Sequence, residues 1–393
     1  MKKILCLCIL LISLLVSGSA TACTGFMSSE NQQVLMGNNE DWLYPEAYLM
    51  FYPAQTNRYA RMYIKCIYPI PTNPEYLSCF AGINEHGLCY DVFLHPPLKP
   101  VNSSQKPEFQ GDLMAYCLEK CVTVDEVLAL FDQYNLEFME DIQYLVVDAT
   151  GASVIIEGDS IIPKQGTYQV VTNFLQSHPE HGWYPCWRYD TAVRMLENMT
   201  EPSVEYFKDI CAATHQEGMY PTIYSYVFDI TAGFIHLYHY YDYDTAVTLN
   251  LTEEFSLGVH SYFLPGLFEP EGNQPPRTPD RPSGPTNGRI HISHEYTSSS
   301  SDPDTNVMYY LFDWGDGTNS NWVKQQDNGD GLASHTWIQR GTYEVKVKAK
   351  DIYGQESNWS EPLPITMPKN LWFEPPFPFL CRIIHLIRAL LEL

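Results

Sequence analysis

Positive charge is what this 393-residue chain has least of: Lys and Arg total 23 against 47 Asp and Glu, for a formal net charge of −24. Such a chain repels phosphate backbones and gains nothing from counterion release, which excludes nucleic acid as a partner. Long apolar runs are also missing, since beyond the first residues none approaches the ~20 needed to span a bilayer. There are no internal repeats, and no cysteine occurs from Gly288 to Met367. Charged residues are only 18% of the chain and apolar ones 45%, so global disorder is excluded and a sizeable core can form. The 28 Tyr, 18 Phe and 8 Trp suit β-rich structure and apolar pockets.

What is there begins at the amino terminus. Lys2 and Lys3 precede an apolar run from Ile4 to Val16, followed by Ala20-Thr21-Ala22-Cys23. This is the layout of a secretory signal peptide over residues 1–22, with an A-x-A cleavage site ending at Ala22. The expected location is therefore secreted or cell surface. Cleavage makes Cys23 the first residue, with a thiol and a free α-amine on one Cα. The amine titrates near pH ~8 and the thiol near ~8.5, so the amine can take the thiol proton. Read alone, Cys23 has three roles open to it. It is the nucleophile of an N-terminal-nucleophile amidohydrolase, the lipidated cysteine of a bacterial lipoprotein, or a structural thiol. Ala20 stands where a lipobox usually has Leu. Seven further cysteines lie between Cys66 and Cys211, as disulfide halves or small buried residues. Cys117 and Cys121 share a helix face without the partners a four-ligand metal site needs, so no metal is expected.

Along residues 23–264 the pattern is α+β. Cys23–Met27 and Val34–Met36 read as a hairpin with its turn at Ser28–Gln33, which returns Gly37-Asn38-Asn39-Glu40-Asp41-Trp42 near the chain start. Gly111–Leu130 is helical, with Thr123 and Glu126 at capping-box spacing for a second helix. Hairpins are expected at Tyr144–Asp148 with Ser153–Glu157, and at Tyr224–Asp229 with Gly233–Tyr240. Tyr168–Thr172 reads as a strand and Arg188–Asn198 as a helix. Residues 265–287 form a Pro-rich linker. Residues 288–367 are all β, and the strict alternation of Gly341–Ala349 marks a strand with one buried face. Residues 368–393 are an amphipathic tail too short to cross a membrane.

Two resemblances follow from ordered motifs. Trp314-Gly315-Asp316-Gly317-Thr318, Ser334-His335-Thr336-Trp337 and the Gly341–Ala349 strand resemble the PKD group of immunoglobulin-like domains. Cys23-Thr24-Gly25-Phe26, residues 37–42, Gly82-Ile83-Asn84-Glu85-His86-Gly87-Leu88, Val171-Thr172-Asn173 and Trp187-Arg188-Tyr189 resemble, in that order, the choloylglycine hydrolase and penicillin V acylase superfamily. That resemblance implies a four-layer αββα Ntn-hydrolase domain over residues 23–264, followed by the immunoglobulin-like sandwich. It further implies an exported hydrolase of linear, non-peptide amide bonds that works through an acyl-thioester. Cys23 is the implied nucleophile with its own amine as base. Asp41 orients that amine, Asn173 donates to the oxyanion and Arg188 tunes the charge around the thiol. Asn38, Asn39 and Asn84 fall at implied substrate-binding positions. The superfamily often has Arg where this chain has Asn38, so a substrate-binding cation is expected to be missing. No Asn in the Cys89–His95 strand matches a second oxyanion donor, leaving a backbone N–H for that contact.

No cofactor is required. The expected partners are a small-molecule N-acyl amide, a cell or membrane surface reached through the C-terminal module and tail, and further copies of the chain. The rival readings are an N-acyltransferase of the isopenicillin N acyltransferase type and a lipid-anchored, non-enzymatic surface binding protein. N-terminal sequencing and intact mass of the exported protein separate them. An unmodified Cys23 at the terminus is the expected result, and a diacylglyceryl adduct supports the anchor.

Overall fold

The computed structural model of the chain describes residues 23–68, 77–100, 106–218 and 220–367. The expected signal segment at 1–22 and the amphipathic tail at 368–393 lie outside the described residues. The chain divides into two compact units, Met1–Asn273 with Ile352–Gly354, and Gln274–Asp351 with Gln355–Leu393.

The first unit opens with a hairpin. Strand β1 (Thr24–Glu30) pairs antiparallel with β2 (Gln33–Asp41), from Glu30↔Gln33 to Thr24↔Asn39. The turn is only Asn31 and Gln32, both at positive φ (51° and 67°). A two-residue turn of this kind follows the twist of its strands, so pairing continues through residues expected to be loop. The turn is thus tighter than Ser28–Gln33, and each strand is longer.

Next come β3 (Ala47–Tyr52), β4 (Arg61–Ile67), β5 (Leu77–Asn84) and β6 (Cys89–Leu94). Two helices follow, α1 (Leu113–Lys120) and α2 (Val124–Phe131). Asp112 caps the first by accepting from the Ala115 N–H, and the Thr123–Glu126 capping box opens the second. Cys121 is extended and separates the two helices, the second of which opens at the expected capping box. Strands β7 (Ile142–Val147), β8 (Ser153–Glu157), β9 (Ser160–Pro163) and β10 (Tyr168–Val171) precede α3 (Trp187–Glu197) and α4 (Val204–Thr214). The first unit ends with β11 (Thr222–Asp229), β12 (Phe234–His239), β13 (Asp242–Asn250) and β14 (His260–Phe263).

These strands form a six-stranded sheet, β10-β1-β2-β11-β12-β13, and an eight-stranded sheet, β14-β3-β4-β5-β6-β7-β8-β9. Period-two alternation gives each sheet two apolar faces to cover. One face of the eight-stranded sheet, with Tyr63, Tyr90 and Val146, packs on Leu113, Leu118 and Val127 of α1 and α2. One face of the six-stranded sheet, with Phe26, Leu35 and Val227, packs on Ala192, Leu196 and Phe207 of α3 and α4. Residues of the opposite parity connect the sheets to each other. Cys89 Sγ lies 3.5 Å from Met36 Sδ, Cys66 Sγ 3.6 Å from the Tyr224 hydroxyl, and Tyr226 donates to Asp91. All eight described cysteines are unpaired, and all but Cys79 are buried.

In the second unit, β15 (His294–Ser298) pairs with β18 (Gly331–His335). The other sheet orders β17 (Asn319–Lys324), β16 (Met308–Asp313), β19 (Gly341–Asp351) and β20 (Leu363–Met367). Tyr296, Trp314, Trp337, Val345, Val347 and Ile365 fill the space between. The Pro-rich segment joins this unit through backbone bridges from Ser283 to Thr297 and Asn287 to Thr366. The Trp314–Thr318 turn requires glycine: Gly315 has φ of 74°, and a Cβ there would come within 2.8 Å of the Glu344 backbone. The second unit is thus a β-sandwich and the first a unit of mixed helix and sheet.

The Phe26 and Phe207 rings, 5.2 Å apart and both fully buried, join the six-stranded sheet to α4. Phe207→Ala should lower stability by about 3–5 kcal/mol, read as a lowered urea midpoint of the first unit's transition.

Candidate functional site

The hairpin register decides what meets the start of the first strand. Thr24 pairs with Asn39, so one step further Cys23 lies opposite Glu40. Directly paired residues share a face, and neighbours along a strand alternate. Cys23, Asn38 and Glu40 therefore face the eight-stranded sheet, while Thr24, Asn39 and Asp41 face α3 and α4. The Cys23 thiol donates to Glu40 Oε1 at 3.1 Å, with both side chains buried.

On the helix side, Arg188 in the first turn of α3 is the organising group. Its Nη1 donates to the Cys23 carbonyl (2.8 Å), Thr24 Oγ1 (3.0 Å) and Asp41 Oδ2 (3.3 Å), and its Nη2 to Asn173 Oδ1 (3.3 Å). The planar fork of guanidinium suits several acceptors held at fixed angles. Asp41 also accepts from Thr222 Oγ1 at 2.5 Å and Gln216 Nε2 at 2.8 Å. Asn173 is held at both ends, because its Nδ2 donates to the Leu94 carbonyl at 2.9 Å.

The thiol opens on a cavity of about 140 Å³, lined by Trp42, Tyr68, Phe80, Val92, Leu94 and Ile142 together with Glu40 and Asp112. Trp42 stacks on Tyr68 at 5.7 Å, meets Phe80 edge-on at 5.3 Å and donates its indole N–H to the Ile67 carbonyl. This wall fits a small apolar or aromatic group. A larger cavity of about 340 Å³ shares Asp112 and Tyr144 with it but does not include Cys23.

Burial dominates the electrostatics. It pushes the Cys23 thiol well above its ordinary range, and the carboxyls of Glu40, Asp41 and Asp91 push further the same way. The sulfur is therefore held as a neutral thiol pointed at an acceptor. Burial also raises Glu40 and Asp91, with the Asp91 charge adding to the rise at Glu40. Asp41 is raised by burial to about 7, against the opposing pull of Arg188. Its carboxyl is half ionised near neutrality, so the ion pair with Arg188 strengthens as pH rises through that value.

The structure brings Cys23, Asp41, Asn173 and Arg188 into one hydrogen-bonded group. Asn38 lies on the thiol's face, with both side-chain polar atoms buried and unbonded. Asn39 faces the helices, where it donates to the Cys211 carbonyl and Thr214 and accepts from Ser225. Asn84 ties the α1 end to its own turn, donating to the Leu118 and Cys121 carbonyls and accepting from the His86 and Leu88 N–H groups. None of Asn38, Asn39 and Asn84 lines the cavity. Glu40, Asp91, Trp42 and Thr222 were not singled out from the sequence. Glu40 was within reach, because a two-residue turn at Asn31-Gln32 places it across from Cys23.

The PKD domain family matches residues 287–367. A solved structure, the PKD domain of an M14-like peptidase from Thermoplasmatales archaeon SCGC AB-540-F20, is 40% identical, covering 25% of this chain and 100% of that one, with a TM-score of 0.23. No curated protein matches the chain. The family match makes residues 287–367 a PKD domain, and Trp314, Trp337, Val345, Val347 and Ala349 of the three motifs lie in its core.

A raised Asp41 has a stability consequence whose sign is fixed. Its folded value of about 7 exceeds the ordinary unfolded value of about 3.9, so its contribution is full below the latter and is lost as pH climbs through 7. Asp41→Asn should remove that pH-dependent component, read as a flatter profile of denaturation midpoints between about pH 4 and 7.

Proposed function

We propose that this chain is an exported, cofactor-independent hydrolase of linear amide C–N bonds, with Cys23 as nucleophile. The observation that carries the proposal is the Arg188 fork. Four residues drawn from separate motifs, Cys23, Asp41, Asn173 and Arg188, meet in one buried network whose thiol opens on an apolar cavity. The helix pairs on one face of each sheet, with sheet-to-sheet contacts on the other, support the αββα Ntn-hydrolase layering.

Removal of residues 1–22 frees the Cys23 amine next to its own thiol. The sulfur attacks an amide carbonyl carbon as its proton passes to that amine, which Asp41 orients. Asn173 and a backbone N–H hold the oxyanion. Collapse breaks the C–N bond, the protonated amine hands its proton to the leaving nitrogen, and an acyl-thioester remains for water to cleave. The acyl group occupies the cavity walled by Trp42, Phe80 and Ile142. Arg188 contacts the Cys23 carbonyl rather than its sulfur, so its role is to hold the residue and its two partners in place.

A panel of N-acyl amides with aromatic and aliphatic acyl groups, assayed for release of free amine, tests this. The mature protein should turn over at least one member and Cys23→Ala none. Asn173→Ala should lower kcat by roughly 100- to 1,000-fold, as loss of one oxyanion donor does. Undiminished turnover in folded Cys23→Ala would sink the mechanism.

A further inference from the structure

The Cys23 thiol donates to Glu40 Oε1 at 3.1 Å across the hairpin, whereas Arg188 meets the Cys23 carbonyl. Resting on the reading of Cys23 as nucleophile, we infer that Glu40 is a second catalytic residue, whose carboxylate takes the thiol proton in place of the α-amine as sulfur attacks. The S–H bond breaks and an O–H bond forms on Glu40. The pair left on sulfur forms the S–C bond while the carbonyl π pair moves to oxygen. The proton later passes from Glu40 to the leaving nitrogen as the C–N bond breaks.

The surroundings of Glu40 explain why a carboxylate there can act as a base. Cys23, Asp41, Asp91, Cys66, Tyr224 and Tyr226 all act on it or feel its charge, and all are acids. Glu40 Oε2 and Asp91 Oδ1 are buried without hydrogen-bond partners. Tyr226 donates to the other Asp91 oxygen. The Asn38 amide offsets part of the rise at Glu40, though neither of its polar atoms makes a well-formed hydrogen bond. Burial first, and the Asp91 charge after it, hold the Glu40 carboxyl well above its ordinary range, so once ionised it takes up a proton readily. Glu40 Oε1 is the oxygen in contact with a transferable hydrogen. Glu40 needs no free amine, so the thiol has a proton acceptor even while Ala22 is still attached.

The full 393-residue chain is the form to test, because the Cys23 nitrogen is then an amide and no base. Alkylation of Cys23 by iodoacetamide is followed across pH by peptide-resolved mass spectrometry, with circular dichroism as the check on folding. The wild-type rate should rise through the titration of Glu40 and exceed that of Glu40→Gln about tenfold near pH 8. A carboxylate that merely repels the thiolate predicts the reverse, so an equal or faster Glu40→Gln overturns the assignment. Asp91→Asn removes a charge that adds to the burial-driven rise at Glu40 and should move the ascending limb to lower pH. An unmoved limb in that folded variant also overturns the assignment, whether or not Glu40→Gln folds. Amide turnover is not read here, so a chain that hydrolyses no amide yet keeps this limb loses the proposed function and retains the Glu40 role.

Discussion

A single buried guanidinium holds the candidate site together. Arg188 is 5% exposed and donates to the Cys23 carbonyl, Thr24, Asp41 and Asn173. A charge so enclosed is tolerated only when its donors are met, and removing one partner leaves an uncompensated ion. The start of β1, the end of β2, the loop after β10 and the first turn of α3 are thus held in one relative position. An Arg at a helix start ordinarily extends to solvent. Here α3 packs through Ala192 and Leu196 against Phe26 and Val170, which turns its first turn inward.

The second constraint is the pleat of β2. Asn39 and Asp41 belong to the helix face and Asn38 and Glu40 to the sheet face, so adjacent residues of one motif serve different environments. The helix face carries a cation and well-satisfied hydrogen bonds. The sheet face carries a thiol, carboxyls and phenols with few donors, and every acid there is pushed toward its neutral form. A neutral thiol beside an acceptor calls for proton transfer during attack, a different strategy from a preformed thiolate stabilised by a nearby cation.

In the PKD domain local rules and tertiary structure agree closely. Asp316 accepts from the Thr318 N–H within its turn and meets His335 Nε2 at 2.7 Å, and His335 stacks on Trp314 at 5.0 Å. The Trp337 indole donates to the Trp314 carbonyl. Three motifs spaced along the sequence are therefore one core cluster, which is why their order alone carried the resemblance.

Local patterning determined much of the rest. The Thr123–Glu126 capping box, the β7–β8 and β11–β12 hairpins and the alternation of β19 depend on neighbours in the chain, and all of these are present. The sequence also marked Cys23, Asp41, Asn173 and Arg188 as a set, though not how they would touch. Only the tertiary structure decided that Asn39 and Asn84 hold helix ends while Glu40 meets the thiol. Side chains of one type in a motif look alike in sequence, whereas strand register and sheet face assign them to different surroundings. Register, in turn, followed from two residues at positive φ in a turn, a small local choice that sets every pairing along the hairpin.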